Sequence, residues 1–242
     1  MTTFVFALYS YIAIGLKRLI PHLGRVATWL KVWVHSLFMP SLCAYCKVFL
    51  FIPDIFCTAC KNKIFPIVSK QIDVTARFSM RVLAVSDYKD PLKKLILAKG
   101  WSDILASYQM GQLLCELPSL QHLDCDVIVP IPLHWTRYAW RGFNQADEIA
   151  RVIQKKKNVP LCHLLKRVKK TAFQSTLVSS LRVENLKEAF VLNDIDVTHY
   201  KDTHILLIDD LMTTGSTLRA AAKKLLVLKP RKITVAVLCR VV

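Results

Sequence analysis

Acidic residues are scarce in this sequence: 17 Asp and Glu stand against 34 Lys and Arg in 242 residues, a formal net charge of +17 at pH 7. Such a surplus favours polyanionic partners, nucleic acid or an anionic membrane surface, and charge alone does not separate the two. Only six glycines occur, and none falls in Gly-x4-Gly-Lys-Ser/Thr or Gly-x-Gly-x2-Gly, which excludes two common glycine-rich phosphate cradles. No internal repeat and no low-complexity tract is present. Partners at catalytic or metal spacing are missing for His22, His35, His122, His163, His199 and His204, so no histidine chemistry is assigned to them. His134 lies in a basic loop that is a candidate for holding a pyrophosphate, and it could equally cap or pack. No convincing export signal is read either. The apolar run Thr3 to Leu16 is broken by Ser10 and Gly15, is short for a bilayer, and carries its charge after the run, at Lys17-Arg18, rather than before it. Eight cysteines without such a signal read as thiols of a reducing cytoplasm rather than a disulfide framework. The hydrophobic fraction of 53% argues against disorder, and the length suffices to bury a core.

What is present centres on Ile205-Leu206-Leu207-Ile208-Asp209-Asp210-Leu211-Met212-Thr213-Thr214-Gly215-Ser216-Thr217. The apolar run reads as a buried parallel strand, the turn as a loop, and Leu218 to Leu228 as a helix ending near Pro230. Lys232 to Leu238 is a second apolar run, so the segment is a βαβ unit. Its loop then sits at the carboxyl end of a strand and at a helix N-terminus, where free amides attract phosphate. Gly215 permits close backbone approach, and Thr213, Thr214, Ser216 and Thr217 offer hydroxyl donors. Asp209 and Asp210 would repel a phosphate but accept hydrogen bonds from vicinal sugar hydroxyls. The implied ligand is a sugar phosphate. A plain strand followed by a Thr-capped helix is the bland alternative, although capping needs one such residue rather than seven. The motif resembles the phosphoribosyl-pyrophosphate (PRPP) signature of type I phosphoribosyltransferases.

Towards the N-terminus, Val26, Trp29, Leu30, Trp33 and Leu37 share one helical face, with Arg25, Thr28, Lys31 and His35 largely elsewhere. Three readings stay open: a basic amphipathic helix at a membrane interface, a helix packed on the protein itself, and a start assigned too far upstream. Cys43-x2-Cys46 and Cys57-x2-Cys60 follow. Two such knuckles complete a tetrahedral, closed, structural four-thiolate zinc site; two redox pairs or buried cysteines without a ligand role are the alternatives. Further on, Arg81 to Tyr88 reads as a strand, Leu92 to Lys99 and Trp101 to Leu114 as helices, and Asp126 to Pro130 as a strand. His134 to Arg141 is expected to be a basic, aromatic loop at the same sheet edge as the sugar-phosphate motif, with Gly142 to Gln145 opening a helix to about Lys157. Lys155-Lys156-Lys157 reads as a solvated helix end, and Cys115 and Cys125 as core or surface thiols.

Pro130-Ile131-Pro132-Leu133, Arg137 and Arg141-Gly142-Phe143-Asn144-Gln145 resemble the signature of the ComF (GntX-like) family. Leu165-Lys166-Arg167, Gln174, Arg182, Asn185 and Ala189-Phe190 are similar to the same family, as is a four-cysteine knuckle preceded by Leu37-Phe38-Met39-Pro40. The likeness runs from about Phe38 to the C-terminus. Many members carry a basic residue in mid-loop where this chain has Ala139 beside Trp140, a departure that bears on how tightly the loop holds a pyrophosphate. The resemblance implies an α/β, type I phosphoribosyltransferase-like fold, its mostly parallel sheet flanked by helices, at 76–242. It adds a four-cysteine zinc-binding segment at 38–75, behind an apolar and basic extension at 1–37.

It further implies a PRPP site, with Asp209 and Asp210 at the reacting sugar and Arg137 and Arg141 on the pyrophosphate beside Mg²⁺. Arg167 and Arg182 would belong to a mobile loop closing over the ligand. Structural Zn²⁺ would sit on Cys43, Cys46, Cys57 and Cys60. The functional expectation is a part in DNA uptake during natural transformation. It includes handling single-stranded DNA on the cytoplasmic side, a peripheral inner-membrane contact through residues 1–37, and an uptake helicase as partner. An active phosphoribosyltransferase with an unnamed acceptor is the alternative.

Overall fold

The computed structural model describes residues 41–52, 54–65, 67, 69–98, 104–168, 189–194 and 196–241. The amphipathic segment before residue 38, and Gln174, Arg182 and Asn185, lie outside them. Two compact units divide the chain, Met1–Cys57 and Thr58–Val242.

In the first unit the chain doubles back through an antiparallel bridge between Leu42 and Phe49. The reversal is closed by Cys43 N–H to Val48 O at 2.9 Å and Lys47 N–H to Cys43 O at 3.0 Å. Lys47 takes a left-handed φ of 63° to make the turn. Ala44 N–H reaches Ile55 O at 2.9 Å and joins the two cysteine-bearing stretches.

The second unit begins with the short helix α1 (Thr58–Lys61) and the strands β1 (Lys70–Thr75) and β2 (Phe78–Asp87). Helices α2 (Leu92–Ala98), α3 (Ile104–Cys115) and α4 (Pro118–Gln121) lead to β3 (Val127–Pro130). Next come α5 (Trp135–Arg141), α6 (Gln145–Lys157), β4 (Leu165–Arg167) and β5 (Phe190–Leu192). The chain closes with β6 (His204–Ile208), β7 (Leu211–Met212), α7 (Ser216–Leu225) and β8 (Lys232–Arg240).

The main sheet has the order β1-β2-β8-β6-β3, with β7 also on β8. All its pairings are parallel except β1 with β2. Lys70–Thr75, grouped above with the cysteine segment, is thus hydrogen-bonded into this sheet as its antiparallel edge. The central strands read as continuous apolar runs because they are covered on both faces: every residue of β6 is buried, as are Ile233 to Cys239 of β8. Helix α7 buries Leu218, Ala221, Ala222 and Leu225, spaced i, i+3, i+4, i+7. Those side chains join Ile205, Leu207, Val235 and Val237 in one apolar cluster. Helix α6 buries Ala146, Ile149, Ala150 and Ile153 in the same rhythm, carries Asp147 and Glu148 in its first turn, and keeps its lysines for the last. At Gly111 of α3 an added Cβ would stand 2.6 Å from Val152 Cβ, so α3 and α6 approach as closely as a glycine allows. Lys157 is no solvated end residue: its Nζ donates to the carbonyls of Leu120 and Gln121 at 3.0 and 3.1 Å, closing the carboxyl end of α4.

Parallel pairing sets the position of the site. Pro130 is in register with Ile208, and Ile208 with Ala236, so β3 and β6 end together while β8 runs on to Arg240 and pairs with β7. The loops after β3 and β6 therefore leave the sheet side by side, tied by Ile131 N–H to Ile208 O at 2.9 Å. No helix among the described residues is long and apolar enough to cross a membrane.

Candidate functional site

At the end of β6 the chain turns through two carboxylates. Asp209 N–H donates to Ala236 O at 3.2 Å, prolonging the ladder by one residue. Asp210 N–H then donates to Asp209 Oδ1 at 2.9 Å, which fixes the first carboxylate against its own backbone. Leu238 N–H binds Asp210 O at 3.1 Å, and β7 re-pairs with β8. Thr213 and Thr214 are exposed, Ser216 and Thr217 half-buried, and Gly215 is the N-cap of α7 at φ +73°. An added Cβ at Gly215 would stand 3.0 Å from Ile72 Cδ1, the tip of a flexible side chain, so the position favours glycine chiefly for its left-handed backbone. With no side chain to cap from Gly215, the first-turn amides and the helix dipole suit an anion. Thr214 Oγ1 lies 3.0 Å from Ser216 Oγ and 3.4 Å from Ser216 N, so the hydroxyls are gathered on that turn.

Across the sheet edge, the stretch expected to be a loop at His134 to Arg141 is a helix, α5. Two features that hydrophobic periodicity does not register make it one. His134 acts as N-cap, its Nδ1 accepting from Thr136 N–H at 3.3 Å, and Gly142 ends the helix in the left-handed region at φ +80°. Asn144 then holds the next turn: its Nδ2 donates to Ile131 O at 2.9 Å and its Oδ1 accepts from Ala146 N–H at 3.2 Å, capping α6.

Three arginines converge here. Burial pushes the Arg137 guanidinium pKa down. Burial and then the Arg137 charge do the same to Arg141. Arg167, on the β4–β5 ribbon, is pushed down by burial first and then by Arg137, while Asp209 draws it back up. Arg141 and Arg167 thus both lie within reach of the Arg137 charge, and Arg167 also within reach of Asp209, which links three separate stretches at the carboxyl edge of the sheet. Partly desolvated guanidiniums that repel one another are an arrangement suited to an anion.

Gln145 adds a group to which sequence reasoning gave no role. It is 2% exposed, its Oε1 accepts from Arg141 Nη1 at 3.2 Å, and neither its Nε2 nor Arg141 Nε has a hydrogen-bond partner among the described residues. Two buried donors without partners mark a place where a polar ligand would be compensated. The signal in the sequence was an amide at the first, buried position of an amphipathic helix. Arg182, also expected here, lies outside the described residues.

The four cysteines form a second centre. The Sγ atoms of Cys43, Cys46, Cys57 and Cys60 all lie within 4.8 Å of one another. Cys46 and Cys57 sulfurs are 3.7 Å apart. A tetrahedron with Zn–S bonds of about 2.3 Å has edges of about 3.8 Å, so the donor set fits zinc, whereas a disulfide bond is about 2.05 Å. Burial raises the pKa of the Cys43 thiol, but hydrogen bonds from the backbones of Cys57, Cys46 and Tyr45 and from the Cys46 side chain outweigh it and bring it to about 6. That favours the thiolate, the form that binds metal.

The phosphoribosyl transferase domain family matches residues 139–241. The chain is 33% identical over 216 residues to the DNA utilization protein YhgH of Salmonella typhimurium, spanning 83% of this chain and 84% of that protein. It is 38% identical over 101 residues to Competence protein F of Haemophilus influenzae, 41% of this chain and 44% of the relative. To Competence protein ComFC of Bacillus subtilis it is 37% identical over 102 residues, 41% of this chain and 38% of the relative.

Proposed function

The chain belongs to the ComF family of phosphoribosyltransferase-like proteins, and from that premise we propose that its sheet edge binds PRPP or a related sugar phosphate in a protein taking part in DNA uptake. One observation carries the ligand reading: the acidic strand end, the hydroxyl turn at the start of α7 and the arginines of α5 and β4 meet at one edge of the sheet. In this reading Thr213 to Thr217 and the α7 amides hold the 5′-phosphate. Asp209 and Asp210 accept from the ribose hydroxyls. Arg137, Arg141 and Gln145 take the pyrophosphate, with Arg167 reaching in from the ribbon.

Loss of pyrophosphate from C1 would leave a cationic sugar, and the side chains named hold both halves of that charge separation. Were Mg²⁺ to come with PRPP, it would supply further positive charge against the leaving pyrophosphate, beside Arg137 and Arg141. The names of the relatives, DNA utilization and competence proteins, support the uptake role, and the net charge of +17 suits a strand of phosphates. We place the protein's action on single strands at the cytoplasmic face of the inner membrane, with a peripheral contact through residues 1–37 and an uptake helicase as partner.

Titration of PRPP with Mg²⁺ tests the ligand. Asp209→Asn with Asp210→Asn keeps shape but removes two charged acceptors. At about 1.5–3 kcal/mol for a hydrogen bond to a charged group, affinity should drop at least about tenfold with the fold intact. Ribose 5-phosphate should compete better than pyrophosphate. Equal affinity in parent and double variant, or no binding by the parent, would discard the reading, while release of pyrophosphate on addition of nucleobases would favour an active transferase.

A further inference from the structure

Helix α5 carries more aromatic surface than its packing uses. None of its residues is buried; Trp135 is 71% exposed, Tyr138 53% and Trp140 73%. Three large exposed rings on seven residues beside a basic site call for a partner. Helical geometry shows which rings matter. At about 100° per residue, Arg137 and Arg141 are about 40° apart, Trp140 stands about 60° to one side of them and Tyr138 about 60° to the other. Trp135 lies more than about 100° from both arginines, with its ring centroid 5.8 Å from that of the capping His134. The arginine stripe is thus bordered by an exposed ring on each side.

From this placement we infer that Tyr138 and Trp140 are base-stacking residues for a single-stranded nucleic acid running across α5, its phosphates drawn by the Arg137–Arg141 stripe. Charge complementarity selects this occupant. Alternating cationic and π surface matches a chain that alternates phosphate and base, and stacking accepts any base because each has a π face. The surplus of 34 basic over 17 acidic residues provides the long-range attraction. The inference rests on the single-strand part of the function proposed above and assigns it residues.

The full chain is titrated with a dye-labelled oligothymidylate and with an abasic strand of the same length and charge, PRPP titrations being run in parallel. Tyr138→Ala with Trp140→Ala should weaken oligothymidylate binding at least about thirtyfold. Abasic-strand binding, the salt slope and PRPP binding should stay at parent values, and the Phe variants of both positions should recover most of the loss. Trp135→Ala should bind as the parent does. Parent-like binding by the double variant overturns the inference while leaving DNA binding itself standing. So does an equal loss with the abasic strand, which would make the rings supports for the arginines, or a loss confined to anionic vesicles. A parent that binds PRPP but no single strand overturns both this inference and the DNA part of the function, and leaves the sugar-phosphate site intact.

Discussion

His204 begins the strand that leads to the acidic turn, and it does so buried, 4% exposed, with Nε2 at 2.8 Å from Thr234 Oγ1. Burial first, then the Lys232 charge, lowers the pKa of its ring; Arg231 adds to this, while the Asp124 backbone and Asp126 oppose it. An unfolded imidazole takes up a proton near pH 6.5, and the folded one resists it. The unfolded chain therefore binds more protons, and stability falls as pH drops below about 6.5. Replacing His204 by Asn should flatten that acid limb in unfolding curves between about pH 5 and 7; an unchanged slope would place the titration elsewhere. Gly215→Ala should cost about 1–2 kcal/mol through its left-handed backbone, with a smaller part from the tip of Ile72, 3.0 Å from the new Cβ; a thermal melt checks it. Much of this was legible residue by residue. Asp209, Asp210 and the hydroxyl turn lie in one continuous stretch, so chain order alone placed them together. Gln145 entered only as part of a family signature, because the features that single it out, Arg141 Nη1 at 3.2 Å and its burial, are ones no spacing encodes.

Elements differ in how openly their sequences declare them. The βαβ unit from β6 to β8 could be read because its strands are uninterrupted apolar runs and α7 repeats at helical spacing. Helix α5 could not, since it buries no residue and has no apolar period to detect; its ends are set by a histidine cap and a glycine. The edge strand β1 escaped for a related reason: only Ile72 and Val74 of its six residues are buried. The ribbon of β4 and β5 joins three residues to three across a long sequence gap, a pairing that local pattern cannot supply. In the four-cysteine segment the spacing did carry the geometry, because each Cys-x2-Cys turn presents two sulfurs to one point. We expect about one zinc per chain by metal analysis of protein purified without chelator. Cys57→Ser should lower that occupancy and expose the knuckle to protease, since the metal's binding energy is folding energy for a stretch with little core. Stoichiometric absence of zinc, or the pairs found as disulfides, would remove the centre.

For the whole molecule the dominant fact is charge. With +17 on 242 residues, binding to a single strand should depend on counterion release: each phosphate neutralised lowers the slope of log K against log salt by about 0.7. A strand crossing α5 and the arginine stripe that engages about three to five phosphates gives a slope of about −2 to −3.5, so raising salt from about 50 to 200 mM should weaken it roughly 20- to 130-fold. Sequence preference should be slight. PRPP makes a second use of the same cations, for Arg137 and Arg141 are proposed to face both its pyrophosphate and the strand. The two ligands should therefore oppose each other, and by linkage to the same factor in each direction. Measuring strand affinity with and without saturating PRPP, and PRPP affinity with and without saturating strand, closes that cycle. The same fold-loss in both directions supports a shared stripe. Strand affinity that ignores both salt and PRPP would mean that the charge surplus serves some other surface and that α5 does not join the two sites.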